Sequence, residues 1–204
     1  MNRTLIFAFF VPYIAMIIGL YFFHNAWIAF ILYHFLILII MVYTRNLQHL
    51  KSLFKGGNAL IIFLAVLFGV GGGALIYFLN PIIGLEKYAP SVLTSLGLSG
   101  TSWLIFVFYH GFVSTLFEES YWRGFLGSKK KGVVWSDIMF AAYHILVLIL
   151  FLAWYWILLS FIILLLAAWF WRQLARRYKG LLIPMLSHMA ADVSIIFTVY
   201  LLTL

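Results

Sequence analysis

The sequence predicts an all-α bundle of transmembrane helices, and three observations carry that reading. Of 204 residues, 66% are hydrophobic and only 9% are charged, against about 25% charged in a soluble domain. The apolar residues come in runs close to the roughly 20 that one membrane-spanning helix needs. The basic residues collect between the runs, and eleven of the thirteen Lys and Arg residues fall on one side of the alternation the runs define.

Seven runs read as spans: about 5–23, 26–43, 59–79, 102–126, 135–151, 154–171 and 181–202. The first follows Met1-Asn2-Arg3-Thr4 and resembles a secretory leader. Leu5 to Phe23 is nevertheless long enough to span, no small-x-small cleavage site is evident, and further spans follow. It reads as a retained helix. Residues 44–58 are basic and close on Gly56-Gly57-Asn58, the pattern of a short amphipathic stretch and a turn. The third span carries Gly69-Val70-Gly71-Gly72-Gly73, small residues that let helices approach closely. Asn80-Pro81, Pro90 and several Gly and Ser residues make 80–101 an outer loop. From Val133 to Trp171 only Ser136, Asp137, His144 and Ser160 interrupt the apolar and aromatic residues. That stretch is too long for one helix and predicts a tight turn near Leu152 to Trp154. The count is then about seven helices, or eight if the stretch divides differently. No repeat or soluble segment stands out, so 1–204 reads as a single integral membrane domain.

Charge placement orients the bundle. With the N-terminus in the cytosol, the cytosolic segments hold Arg3; Arg45, Lys51 and Lys55; Lys129, Lys130 and Lys131; and Arg172, Arg176, Arg177 and Lys179. Only Lys87 lies opposite, and Arg123 stays within a span. This is the positive-inside pattern. The net charge of +8 is accounted for by basic loops facing an anionic leaflet, so the lipid bilayer is the expected partner and nucleic acid is not. There is no cysteine, which excludes a disulfide, a thiolate metal cluster and a cysteine nucleophile.

The five acidic residues carry most of the functional information. Glu86 sits beside Lys87 in the outer loop, and Asp137 follows Ser136 where the fifth helix begins, the place of an N-cap. Glu118, Glu119 and Asp192 fall inside spans. An ionisable group near the bilayer centre costs about 2.5–3.5 kcal/mol on insertion scales and marks a functional site by default. In Phe117-Glu118-Glu119-Ser120-Tyr121-Trp122-Arg123, the four-residue spacing lets Glu119 and Arg123 pair within one helix. Glu118 is turned about 100° away and left without that counter-ion. The fifth span offers Phe140-Ala141-Ala142-Tyr143-His144, and the seventh His188-Met189-Ala190-Ala191-Asp192, whose spacing puts both polar groups on one helix face. His24, His34, His49 and His110 read as hydrogen-bonding groups between helices, with His110 two turns before Glu118 and bordering its neighbourhood.

Three helices thus carry polar clusters that lipid rejects, and turning all three inward to one cavity satisfies them together. A carboxylate, two imidazoles and a further Asp suit the activation of water for hydrolysis. They suit a proton-coupled transporter equally well.

The set Glu118-Glu119-x-x-x-Arg123, Phe140-x-x-x-His144 and His188-x-x-x-Asp192, in that order, resembles the three signature motifs of the CPBP family. These are the CAAX-protease and bacteriocin-processing, or Abi-type, membrane proteins, related to the type II CAAX prenyl endopeptidases. The flanking Gly180-Leu181-Leu182-x-Pro184-x-Leu186-x-His188 agrees, and the motif-bearing core covers about 101–204. The resemblance implies an intramembrane endopeptidase opening toward the cytosolic leaflet and cutting a membrane-associated peptide or protein. It implies Glu118 as general base, His144 as a group that holds and polarises the attacking water, and His188 with Asp192 as stabilisers of the oxyanion. Glu119, Arg123 and Phe140 would shape and charge-balance the site. Many members carry Asn where this chain has Asp192, and an ionised Asp cannot donate to an oxyanion. The resemblance favours no cofactor, yet admits zinc on Glu118, His144 and His188. Two other functions remain beside it: a non-enzymatic immunity or scaffold protein that keeps the motifs, and the transporter, which lacks a visible inverted repeat.

Overall fold

The computed structural model describes residues 3–204; Met1 and Asn2 of the leader-like start lie outside the described residues, as does the side chain of Arg3. Helix α1 comprises Arg3–Met16 and the wider-turned Ile17–Phe22. It is followed by α2 (Ala26–Tyr43), the short α3 (Gln48–Ser52), α4 (Ala59–Ile83) and α5 (Leu85–Ser95). Then come α6 (Gly100–Phe125), α7 (Trp135–Leu148), α8 (Trp154–Tyr178) and α9 (Leu182–Leu202). No strand occurs among the described residues. The chain is a polytopic helical membrane protein.

Among the described residues six helices are long and apolar enough to cross a membrane, and α7 is a seventh, shorter apolar helix. At 14 residues, α7 is about 21 Å long, short of the roughly 30 Å hydrocarbon core. It ends at Leu148 and turns into α8 close to the expected Leu152–Trp154. The outer segment 80–101 is largely helix rather than loop. Gly84, at φ +72°, turns the chain from α4 into α5, and the Asn80 side chain accepts the Leu85 N–H at 3.1 Å.

Asp137 is not an N-cap. Val134 occupies that place in extended conformation, and Asp137 sits in the first turn, where Oδ2 accepts the Val134 N–H at 3.0 Å. The same carboxylate takes Arg172 Nη2 at 2.7 Å and Nε at 2.8 Å. Arg172 is correspondingly a buried α8 residue rather than a free loop charge. It also donates to the carbonyl oxygens of Ser128, Lys130 and Gly132, which ties down the loop bearing Lys129, Lys130 and Lys131.

The basic loops meet at one end of the bundle. Leu181 and Leu182 donate backbone N–H groups to Ser52 and Lys55 at 2.9 and 3.0 Å, and His49 of α3 packs on Gly124 of α6. That burial pushes the His49 imidazole below its ordinary value. At the other end Ala26 donates to Leu96 at 3.0 Å and the Trp103 indole to Thr203 at 3.3 Å. His24 lies exposed in the α1–α2 turn at φ +49°, so it bridges no helices. His34 does, reaching Tyr109 at 2.7 Å and Ser114 at 3.3 Å on α6. Tyr43, Trp135 and Trp154 stand exposed at helix ends, positions that suit rings favoured at membrane interfaces.

The glycines of α4 serve packing. A Cβ on Gly69 would lie 2.2 Å from the Ser187 carbonyl oxygen of α9, and one on Gly73 2.4 Å from that of Ser194. Gly71 faces open space. Gly69→Ala is therefore expected to destabilise the protein by about 1–3 kcal/mol through overpacking, while Gly71→Ala leaves it unchanged or slightly firmer. Unfolding of the two variants in detergent micelles checks the contrast.

Candidate active site

The site is built where α6, α7, α8 and α9 meet, and α6 is locally distorted to make it. Two wider-turned segments, Tyr109–Ser114 and Glu119–Phe125, flank the ordinary turn Thr115–Glu118. Such insertions recur at functional sites because they re-aim side chains without breaking the helix. The Ser120 hydroxyl donates within 2.9 Å of both the Leu116 and Phe117 carbonyls, covering backbone acceptors that the altered turn loosens.

The two adjacent glutamates are both buried, Glu118 at 2% and Glu119 at 0% exposure, and they have different partners. Glu119 Oε1 lies 3.2 Å from Arg123 Nη1 and accepts from His188 Nδ1 at 2.8 Å. The expected pair within one helix is there, and it extends across to α9. Glu118 Oε1 accepts the Tyr143 hydroxyl at 2.6 Å, while Oε2 is buried without a hydrogen-bond partner, 3.8 Å from His188 Nε2. His188 Nε2 also faces Asp192 Oδ1 at 3.4 Å. Both imidazole nitrogens thus point at carboxylate oxygens, which only accept; this is the surrounding of a ring that donates from both sides.

Aromatic faces fix the remaining orientations. The Trp171 ring of α8 stacks on His188, centroids 4.1 Å apart, and its N–H is held by Ser187 Oγ at 3.0 Å. Arg123 lies over the Phe140 ring at 4.1 Å and over Trp171 at 4.9 Å, so the guanidinium sits in the corner of two rings set at 83° to each other, where lipid would offer it nothing. His144 is half-buried. Its Nδ1 bonds the Phe140 carbonyl at 2.7 Å, which commits that nitrogen as donor and leaves Nε2 as the acceptor. Asp192, 15% exposed at its side chain, accepts from the Thr115 hydroxyl at 3.0 Å.

The structure therefore gathers Glu118, Glu119, Arg123, Phe140, His144, His188 and Asp192 about one point. His110 borders it, with Nδ1 buried and unpaired. Tyr143, Thr115 and Trp171 are site residues that the sequence reading passed over. Tyr143 adjoins His144, but a tyrosine in a chain rich in aromatics gives no signal of its own. As to zinc, the second ring nitrogens of His144 and His188 are oriented as metal ligands often are. Among the described residues, however, no three His, Asp or Glu side chains are gathered closely enough to share one ion.

Depth follows from helix geometry. Glu118 lies seven residues from the end of α6 and His188 six from the start of α9, about 10 Å inside the basic end at 1.5 Å per residue. The site is within the bundle, toward the end where the basic loops lie.

Comparison with known families bears on the same segment. Residues 100–194 match the family model described as Type II CAAX prenyl endopeptidase Rce1-like. That span runs from the start of α6 through Asp192 and includes every motif residue. No curated protein and no solved structure matches. Through this segment the chain is similar to the CAAX-type intramembrane proteases, which are peptide hydrolases.

The unequal surroundings of the two glutamates predict unequal stability effects. Glu119→Gln strands buried Arg123 and is expected to cost about 3–5 kcal/mol. Glu118→Gln keeps an oxygen for Tyr143 and removes a buried charge, so its effect should stay within about 1 kcal/mol or be stabilising. Denaturant titration of both variants in micelles measures the difference.

Proposed function

We propose that this relative of the CAAX-type proteases is an intramembrane endopeptidase that hydrolyses a peptide bond near the cytosolic face of the membrane. The observation that carries the reading is the unpaired Oε2 of Glu118, buried and facing His188 Nε2 at 3.8 Å. A carboxylate oxygen in that position is suited to take a proton from water as the water attacks a carbonyl carbon. His144 Nε2, left as an acceptor by the Phe140 bond, helps hold that water. The N–H of His188 Nε2 then donates to the oxyanion of the tetrahedral intermediate, where a preorganised donor in a dry site acts most strongly. On collapse, Glu118 returns the proton to the departing amine. Asp192 accepts from Thr115 and faces His188, so its role is to orient that ring rather than to donate to the oxyanion. Glu119 and Arg123 hold His188 and balance charge, and Phe140 supports Arg123.

The substrate is a peptide or protein held at the membrane, with its scissile bond able to reach about 10 Å into the bundle. A lipid-modified C-terminus or a bacteriocin-related peptide fits this description, and a bacterial plasma membrane is the proposed setting. The water is activated without a metal or other cofactor.

Comparing terminal peptides from membranes of cells carrying the native protein or Glu118→Gln at equal abundance tests the reading. New termini beside membrane segments, lost in the variant, are expected. Identical peptide sets would sink it and favour a scaffold or immunity role. On the cleaved peptide so identified, a chelator should leave the rate unchanged; loss restored by zinc would overturn the metal-free mechanism.

A further inference from the structure

Tyr143 stands one residue before His144 on α7, and its hydroxyl reaches across to a carboxylate of α6. It donates to Glu118 Oε1 at 2.6 Å, with both residues buried, so bulk water does not compete for the bond. A hydrogen bond to an ionised acceptor is roughly twice as strong as one between neutral groups. In a buried site the same bond is costly to leave unmade.

Packing fixes where that hydroxyl stands. The Tyr143 ring lies parallel to Trp122 of α6, with centroids 5.9 Å apart and 2° between the planes, and edge-on to Phe140 at 5.8 Å. Tyr33 of α2 packs on it at 5.7 Å and Tyr13 of α1 at 6.4 Å. Two hydroxyls of α1 also fasten the α7 backbone on either side of Tyr143. Tyr13 donates to the Met139 carbonyl at 2.9 Å, and Tyr21 to that of Leu146 at 2.6 Å. The Leu146 carbonyl is an end-of-helix acceptor, since the Leu150 N–H that a continuing helix would bring to it goes to Val147 at 3.2 Å. At membrane depth such a carbonyl needs an internal donor. The short α7 is thus held at the height that puts Tyr143 against Glu118.

A phenol has one proton to give, and here it goes to Oε1. The carboxylate then cannot turn about its last bond without breaking a buried hydrogen bond, and Oε2 is kept 3.8 Å from His188 Nε2. We propose that Tyr143 is a positioning residue for Glu118, its hydroxyl locking the carboxylate so that Oε2 is the oxygen that takes the proton from water. This rests on the assignment of Glu118 as general base. Tyr13 and Tyr21 belong to α1, outside the segment that matches the family model, so the N-terminal half shares in holding the base through α7.

One test needs no substrate. The chain has three glutamates, Glu86, Glu118 and Glu119. Purified protein labelled at glutamate Cδ with carbon-13 therefore gives three carboxyl signals, and Glu118→Gln identifies one by its loss. Tyr143→Phe is expected to move that signal. Tyr121→Phe removes an equally buried hydroxyl, one bonded to the Ala8 carbonyl instead, and should leave it in place. Should Tyr143→Phe not fold, 3-fluorotyrosine in place of Tyr143 keeps the ring, strengthens the donor and moves the same signal. A Glu118 signal that ignores the hydroxyl of residue 143, or responds as much to Tyr121→Phe, overturns the proposal whatever the protein's activity.

The second test uses the peptide whose cleavage depends on Glu118. Tyr143→Phe is expected to lower kcat about ten- to a hundredfold, the worth of a hydrogen bond to a charged group. KM should stay unchanged, because a freed carboxylate is misplaced for the chemistry without touching substrate binding. 3-Fluorotyrosine in place of Tyr143 should keep most of the native kcat, as should Tyr121→Phe. An unchanged kcat in Tyr143→Phe, or a loss carried in KM, overturns the proposal. Absence of any Glu118-dependent cleavage refutes the protease reading instead, and leaves the carboxyl signal to decide whether Tyr143 holds Glu118.

Discussion

The imidazole of His188, held between carboxylates on both ring nitrogens, is the interaction about which the site is arranged. Glu119 on α6 takes Nδ1 at 2.8 Å, and Asp192 and Glu118 face Nε2 at 3.4 and 3.8 Å. In a hydrocarbon surrounding each of these charges would be costly alone, and together they form a cluster whose members satisfy one another. Arg123 adds a second positive charge against Glu119, and the faces of Phe140 and Trp171 enclose it. Removing one partner leaves another buried and uncompensated, so the cluster holds four helices in register.

The same economy governs the rest of the bundle. Asp137 and Arg172 form a second buried pair nearer the basic end, where Arg172 also gathers three carbonyl oxygens of the 126–134 loop. Polar side chains elsewhere mostly bridge helices: His34 to Tyr109 and Ser114, Tyr121 to the Ala8 carbonyl, Ser187 to that of Ala65. Close backbone approach does the remaining work, at Gly69 and Gly73 of α4 and at Gly19 against Ala29. In lipid, where apolar side chains gain little by meeting one another, small residues and internal hydrogen bonds hold helices together.

Glu118 and Glu119 show how a membrane site gives adjacent carboxylates unequal surroundings. Neighbouring carboxylates on one helix begin chemically equal. Glu119 is surrounded by positive partners and becomes part of the scaffold. Glu118 receives a phenol on Oε1; the second oxygen of each glutamate is buried without a hydrogen-bond partner, and that of Glu118 faces His188 Nε2 at 3.8 Å.

Much of this was legible in the residues themselves. Hydropathy defines a helical membrane protein and its approximate spans, and the placement of Lys and Arg predicts an orientation, because the bilayer imposes length and charge rules that act locally along the chain. The three motifs mark Glu118, His144, His188 and Asp192 because an ionisable residue among apolar ones has few structural explanations. Local pattern failed where partners are distant. Asp137 next to Ser136 looks like a cap until Arg172, 35 residues later, claims it. The 80–101 segment, with its prolines and glycines, looks like a loop until it folds into α5. The length of α7 and the widened turns of α6 leave no mark in composition. Tyr143, Tyr33, Trp122 and Trp171 are four aromatics among many in the sequence. Only tertiary packing decides which of them meet Glu118 and His188, because a hydrogen bond such as that of Tyr143 to Glu118, or a stacked ring such as Trp171 on His188, depends on separate helices being brought together.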